Sequence, residues 1–153
     1  MQEARRVLTA RDIMATSLIT FRANQPIHEA IKILLKHGIS GAPVVDDDKR
    51  LIGILSELDC LRMASSDEFL GDEQEDAGLV EYFMSTKPKS IAPELGVYGV
   101  AHTFMTMPIR RLPVVENDRL IGQVSRRDVL RTIQEMHNKR LVRRRYPDYR
   151  EPA

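Results

Sequence analysis

The sequence is short of most features that announce a function. It has one cysteine, Cys60, in 153 residues. No internal disulfide can form, so a cross-linked secreted scaffold is excluded and a reducing cytoplasm is the expected setting. No apolar run approaches the roughly 20 residues that cross a bilayer, so no membrane association is expected. Residues Met1 to Asp12 are polar and charged and lack the apolar stretch of a secretory signal. The formal net charge of +1 supplies no overall attraction to nucleic acid. The four histidines, His28, His37, His102 and His137, show neither His-Glu-x-x-His nor cysteine-paired spacing, so no metal site is expected. A glycine-rich phosphate loop, a Gly-x-Ser-x-Gly elbow and a convincing triad are all missing. No catalytic residue is nominated, and the chain is not expected to be an enzyme.

What is present is an ordinary globular composition, 42% hydrophobic and 29% charged, with charge that is segregated. Residues 67–76 carry Asp67, Glu68, Asp72, Glu73, Glu75 and Asp76 and no base. Residues 137–153 carry Lys139, Arg140, Arg143, Arg144, Arg145 and Arg150 against two acids. The acidic run reads as a solvated connection, and the basic tail as a solubilising or acid-contacting extension. Asp46-Asp47-Asp48 reads as a polar turn, and Cys60 as a buried, inert thiol.

The strongest signal is an internal repeat. Ile39-Ser40-Gly41-Ala42-Pro43-Val44-Val45-Asp46 returns as Ile109-Arg110-Arg111-Leu112-Pro113-Val114-Val115-Glu116, 70 residues later. The same offset pairs Met14 with Met84, Thr20 with Ser90 and Ile27 with Val97. One residue then drops from the second copy's turn. Leu51-Ile52-Gly53-Ile54-Leu55-Ser56-Glu57-Leu58-Asp59 becomes Leu120-Ile121-Gly122-Gln123-Val124-Ser125-Arg126-Arg127-Asp128. Gly-x-x-Ser-x-x-Asp is thus written twice.

Each copy predicts a β-α-β-β-α unit. A short extended piece (18–21; 90–92) precedes a helix whose apolar residues are Ile27, Ala30, Ile31, Leu34 and Leu35, or Val97, Val100, Ala101, Phe104 and Met105. Gly38 and Pro108 end these helices. Two strands follow (43–45 and 51–55; 113–115 and 120–124), and Ser56 or Ser125 caps a second helix. The second of these helices is expected to run on to Arg145. The fold class is α+β: repeat one at 8–64, an acidic linker at 65–78, repeat two at 79–135 and a basic tail at 136–153. One unit buries too little apolar surface to stand alone. Two should pack sheet to sheet about a pseudo-twofold axis, with Val44-Val45 and Val114-Val115 along the seam.

These motifs resemble the cystathionine-β-synthase (CBS) domain family, in the tandem pair called a Bateman module. The resemblance rests on Asp12-Ile13-Met14, on Gly38 to Asp46, on Gly53 to Asp59 and on their second-copy partners, and it spans residues 8–135. It implies regulation by an adenine nucleotide (AMP, ADP or ATP, with NAD and S-adenosylmethionine also in the set) bound in clefts between the repeats. It implies a homodimer; because no effector domain is recognised in the sequence, an effector protein is expected to be reached in trans. No cofactor is required.

The residues suit such a ligand. A helix start presents unpaired N–H groups and a favourable dipole to a phosphate. A serine hydroxyl can add a bond, and an aspartate one turn later can accept both hydroxyls of a ribose. Ser-x-x-Asp is equally a capping motif, and the two readings are compatible. By resemblance, one cleft combines Ser125, Asp128 and Gln123 with Thr20 and Ile39, Ser40, Gly41 and Ala42. The other combines Ser56, Asp59 and Ile54 with Ser90 and Ile109, Arg110, Arg111 and Leu112. Arg126 and Arg127 lie between Ser125 and Asp128, where the first copy has Glu57 and Leu58. Arginine suits bidentate phosphate binding, so the Ser125/Asp128 cleft is expected to take the more phosphorylated ligand. Two alternatives remain: a structural dimerisation module with degenerate clefts, and a nucleic-acid binder using the basic tail.

Overall fold

The computed structural model describes residues 7–65 and 78–145, with side chains through residue 140. The acidic run 67–76 and the tail after Arg145 lie outside the described residues. The chain runs α1 (Ala10–Ile13), α2 (Ile27–His37), β1 (Gly41–Val45), β2 (Leu51–Ser56), α3 (Glu57–Ala64), α4 (Val80–Phe83), β3 (Ser85–Thr86), α5 (Val97–Thr106), β4 (Arg111–Glu116), β5 (Arg119–Ser125) and α6 (Arg126–Arg145).

The two central helices form for the reasons their sequences predict. Helix α2 buries Ile27, Ala30 and Leu34 along one face, and Gly38 closes it at φ 61°. That left-handed conformation strains a residue bearing a Cβ. Helix α5 buries Val97, Val100 and Phe104. It stops at Thr106 because Pro108 drives its predecessor, Met107, into extended backbone.

The hairpins explain the residue missing from the second copy. Glu116 pairs with Arg119, leaving Asn117 and Asp118 as a two-residue turn with φ 53° and 65°. Both central residues at positive φ is the geometry that matches strand twist, and Asn and Asp tolerate it. The first hairpin is one residue longer. There Asp46 Oδ1 accepts from the N–H groups of Asp48 and Arg50, each at 2.9 Å. Asp47 pairs with Arg22, so the turn itself employs the first two acids of the Asp46-Asp47-Asp48 run.

The predicted first strand of each unit shrinks to one paired residue. Phe21 lies parallel to β1, its N–H donating to Pro43 O at 2.9 Å and its carbonyl accepting from Val45 N at 2.9 Å. Ile91 repeats this against Pro113 and Val115. Extending either piece backwards would need a donor from Pro43 or Pro113, and proline has none.

The repeats are interlocked rather than merely apposed. Strand β3, which follows α4 in the second repeat, pairs with β2 of the first. Ala15 of the first repeat pairs with Gln123 of the second. The cores follow the same crossing. Val80, Phe83 and Met84 pack with Phe21, Ile27, Val44 and Leu55, whereas Ala10, Ile13 and Met14 pack with Val97, Val114 and Val124. This crossing decides the motif glycines. A Cβ on Gly53 would lie 2.7 Å from Met84 Sδ and 3.0 Å from Ser85 O, and one on Gly122 would collide with Met14. The glycine of Gly-x-x-Ser is therefore a seat for a methionine of the other repeat.

The two sheets meet about a pseudo-twofold axis. Equivalent turn residues Arg50 and Arg119 face each other, and Leu120 N donates to Lys49 O at 2.9 Å. The expected seam needs one correction. Val44 and Val114 are fully buried inside the two separate cores, because neighbouring strand residues point to opposite faces. Of the first valine pair, it is Val45 that faces the space between the repeats.

Candidate clefts between the repeats

The doubled Ser-x-x-Asp motifs form helix caps. At α3, Ser56 Oγ accepts from Asp59 N at 3.2 Å, and Asp59 Oδ2 accepts from Ser56 N at 2.8 Å and from Ser56 Oγ at 2.9 Å. Asp59 is only 3% exposed. At α6, Ser125 Oγ accepts from Asp128 N at 3.2 Å and Asp128 Oδ2 accepts from Ser125 N at 2.8 Å. Each carboxylate turns its other oxygen to an arginine one helical turn on. Arg62 Nη1 lies 3.5 Å from Asp59 Oδ1, and Arg131 Nη1 lies 3.3 Å from Asp128 Oδ1. Those arginines were missed in the sequence, although Asp-x-x-Arg also recurs in both copies.

A cleft of about 250 Å³ opens between the repeats. Its walls are Thr16, Leu18, Thr20, Val45 and Lys49 from the first repeat and Leu120 and Ile121 from the second. The lining mixes four apolar side chains with two hydroxyls and one ammonium and has no carboxylate, which suits a flat base or a small anion-bearing ligand. Thr20 is thus in a cleft, but Ser125 and Asp128 are not among its walls. Gln123 shares the face of β5 that carries Ile121. Its Oε1 is buried without a hydrogen-bond partner, an acceptor left open beside the seam.

At the other end of the seam the residues around Ser56 converge. Gly41 pairs with Ser56, and Ser40 O accepts from Glu57 N at 2.8 Å. Ile54, two residues earlier on β2, pairs with Pro43 and Ser85. Arg111 reaches across from the second repeat, donating to Ser40 Oγ and to Gly41 O. Burial pulls its guanidinium below the usual arginine value; the neighbouring Arg110 adds to this and Glu57 opposes it.

The other expected residues divide. The side chains of Ala42 and Leu112 lie inside the cores, so only their backbone can face a ligand. Ile39 and Ile109 are partly buried against the same cores, and Ser90 is half-buried next to the paired Ile91. Arg110 and Arg127 are exposed. Arg126 donates to Ile109 O at 2.8 Å and is thereby drawn back onto its own repeat. The second copy's arginines therefore do not all serve the Ser125/Asp128 end. Arg111 stands beside the cap at Ser56, because its side chain reaches Ser40 and Gly41 at the start of β1.

The CBS domain family matches residues 10–66 and 80–135. The chain belongs to the CBS domain family. Its two matches are the two repeats, and the CBS pair is the unit that the crossed cores hold together. The Methanocaldococcus jannaschii protein MJ1225 is 30% identical over 123 residues, covering 80% of this chain. The chain spans 42% of that relative's length. A crystal structure of CBSX2 in complex with AMP superposes with a TM-score of 0.74 at 25% identity, covering 84% of this chain and 98% of that one. The CBS domain pair of protein MJ0100, in complex with 5′-methylthioadenosine and S-adenosyl-L-methionine, superposes with a TM-score of 0.71 at 26% identity. It covers 86% of this chain and 99% of that one. Among the described residues no helix is long and apolar enough to cross a membrane.

Proposed function

We propose that this CBS pair is a regulatory module, not a catalyst, that binds an adenosyl ligand in its inter-repeat clefts and controls an effector protein in trans. AMP, ADP, ATP, NAD and S-adenosylmethionine form the candidate set. The observation that carries the reading is the cleft walled by Thr20, Val45, Lys49, Leu120 and Ile121, taken with the two similar CBS pairs seen with AMP and with S-adenosyl-L-methionine. A ligand there touches both repeats at once. It can shift their arrangement only by binding one arrangement better than another.

The position of Arg111 favours a ranking of the clefts opposite to the expected one. The Ser56/Asp59 end, with Arg111 beside it and Arg110 next along the chain, takes the more phosphorylated ligand. The Thr20 cleft, with Lys49 as its single cation, takes the less charged one. A homodimer is part of the same reading. Exposed apolar residues on equivalent helices, Leu61 at 64% and Leu130 at 65% exposure, support it.

Titration calorimetry with the five compounds tests the reading, together with mass spectrometry of small molecules released from the purified chain. Heat or a co-purified adenosyl compound is expected. Silence with all five, and nothing released, would refute it. A second reading, a purely structural dimerisation module, is favoured by one observation: both Ser-x-x-Asp pairs are already engaged in caps. It predicts that the interaction with the effector survives replacement of Asp59 and Asp128 together.

A further inference from the structure

Of the residues that wall the cleft between the repeats, only Lys49 carries a charge. Among the described residues no carboxylate lies within ion-pair distance of it, whereas Arg11, Arg22, Arg62 and Arg131 all have one. Two acids of its own turn are used elsewhere. Asp46 Oδ1 accepts from Asp48 N and Arg50 N, and Asp47 pairs with Arg22. The backbone fixes where Lys49 stands. Its N–H donates to Asp46 O at 3.0 Å, and its carbonyl accepts from Leu120 N, across the seam, at 2.9 Å. Lys49 is held there at φ 63°, a left-handed conformation that Gly, Asn and Asp adopt more readily than Lys. In the second hairpin the residue before Arg119 is Asp118, at φ 65°. The same turn geometry is thus built with a base in one repeat and an acid in the other. The turn itself does not require the lysine's charge.

We infer that Lys49 makes this cleft select adenosyl ligands by the sign of their charge, favouring anionic and neutral ones over the sulfonium of S-adenosylmethionine. The inference rests on the adenosyl-binding reading and narrows its candidate set for this cleft. A space of about 250 Å³ is about 6 Å across, less than the Debye length of about 8 Å, so a charge anywhere on a bound ligand feels the ammonium. The walls at Leu18, Val45, Leu120 and Ile121 are apolar, and the hydroxyls of Thr16 and Thr20 have no preference for either sign. Nothing in the lining therefore offsets the positive field. AMP brings a phosphate into that field. S-adenosylmethionine brings a sulfonium next to its ribose. S-adenosylhomocysteine has the same skeleton with a neutral thioether, so the pair differs at the sulfur by one methyl and one charge. Lys49 is exposed, and solvent screening holds the effect to a factor of about three to ten.

The test is calorimetry of S-adenosylmethionine, S-adenosylhomocysteine, AMP and adenosine with wild type, Lys49→Asn and Lys49→Arg, each first shown to be folded by circular dichroism. Asparagine tolerates the left-handed backbone, and Lys49→Gly takes its place if the asparagine variant does not fold. Ratios are taken for each binding step, because Lys49 acts on one cleft. In one step, wild type is expected to bind S-adenosylhomocysteine about threefold to tenfold more tightly than S-adenosylmethionine. Lys49→Asn should bring that ratio close to one and weaken AMP by a similar factor, with adenosine unchanged. Lys49→Arg keeps the charge and should keep both preferences. Added salt should shrink the wild-type ratio. A ratio that is the same in wild type and Lys49→Asn at every step overturns the inference. So does a loss of adenosine affinity equal to the loss for AMP, which would make Lys49 a packing contact. Wild type silent with all four compounds overturns the adenosyl reading as well; binding that is blind to charge overturns the role of Lys49 alone.

Discussion

Replacing Asp59 by alanine in the ligand-free chain separates the capping role of Ser-x-x-Asp from any binding role. Asp59 Oδ2 accepts two bonds from Ser56, from N at 2.8 Å and from Oγ at 2.9 Å, within a residue that is 3% exposed. Alanine removes both and leaves the Ser56 N–H without its acceptor in a partly buried position. A lost cap costs about 1 kcal/mol. A buried donor stranded by losing a charged acceptor raises this to about 2–3 kcal/mol. The exposed Arg62, 68% accessible at its side chain, adds little. For a chain of this length that is a melting shift of about 4–12 °C. The equivalent Asp128 is 19% exposed at its side chain and keeps one bond from Ser125 N, so Asp128→Ala should cost only about 1 kcal/mol, or about 2–4 °C. Asp59→Asn retains an acceptor oxygen and should recover roughly half the loss. Thermal and urea unfolding followed by circular dichroism measure all three. A melting temperature for Asp59→Ala within about 1 °C of wild type, or an equal loss in Asp128→Ala, would refute the reasoning.

Gly53→Ala should destabilise by about 1–3 kcal/mol because its Cβ meets Met84 Sδ and Ser85 O, and a double-mutant cycle with Met84→Ala should show part of that loss relieved. Ala10→Leu overfills the second core from a helix that belongs to the first repeat. Hydrogen exchange should therefore quicken in α5, β4 and β5 while α2 and β1 keep their protection. Burial pushes the Cys60 thiol up, and the charges of Asp59 and Glu57 push it further. Its neutral form thus contributes stability below the thiol's ordinary value, and that contribution is lost as pH rises through the raised one. Between about pH 8 and about pH 10, urea unfolding of wild type should lose more stability than that of Cys60→Ala.

Local chemistry made much of this protein legible in its sequence. Helical spacing of Ile27, Ala30 and Leu34, the stop at Gly38, the caps at Ser56 and Ser125 and the paired strands are each decided by a few neighbouring residues, so a doubled pattern exposed them twice. The resemblance to CBS pairs followed from that doubling. Tertiary structure alone decided what crosses between the copies. Periodicity cannot say that Met84 will sit on Gly53, that Ala10 will be buried beneath the other repeat, or that Pro43 will leave Phe21 a single pairing partner. Nor can it assign Arg111. The resemblance set it with the cleft at Ser56, but only the fold shows that its guanidinium crosses to Ser40 and Gly41 at the start of β1. Long-range contacts depend on where two chain segments are brought together in space, and an inter-repeat cleft consists of nothing else.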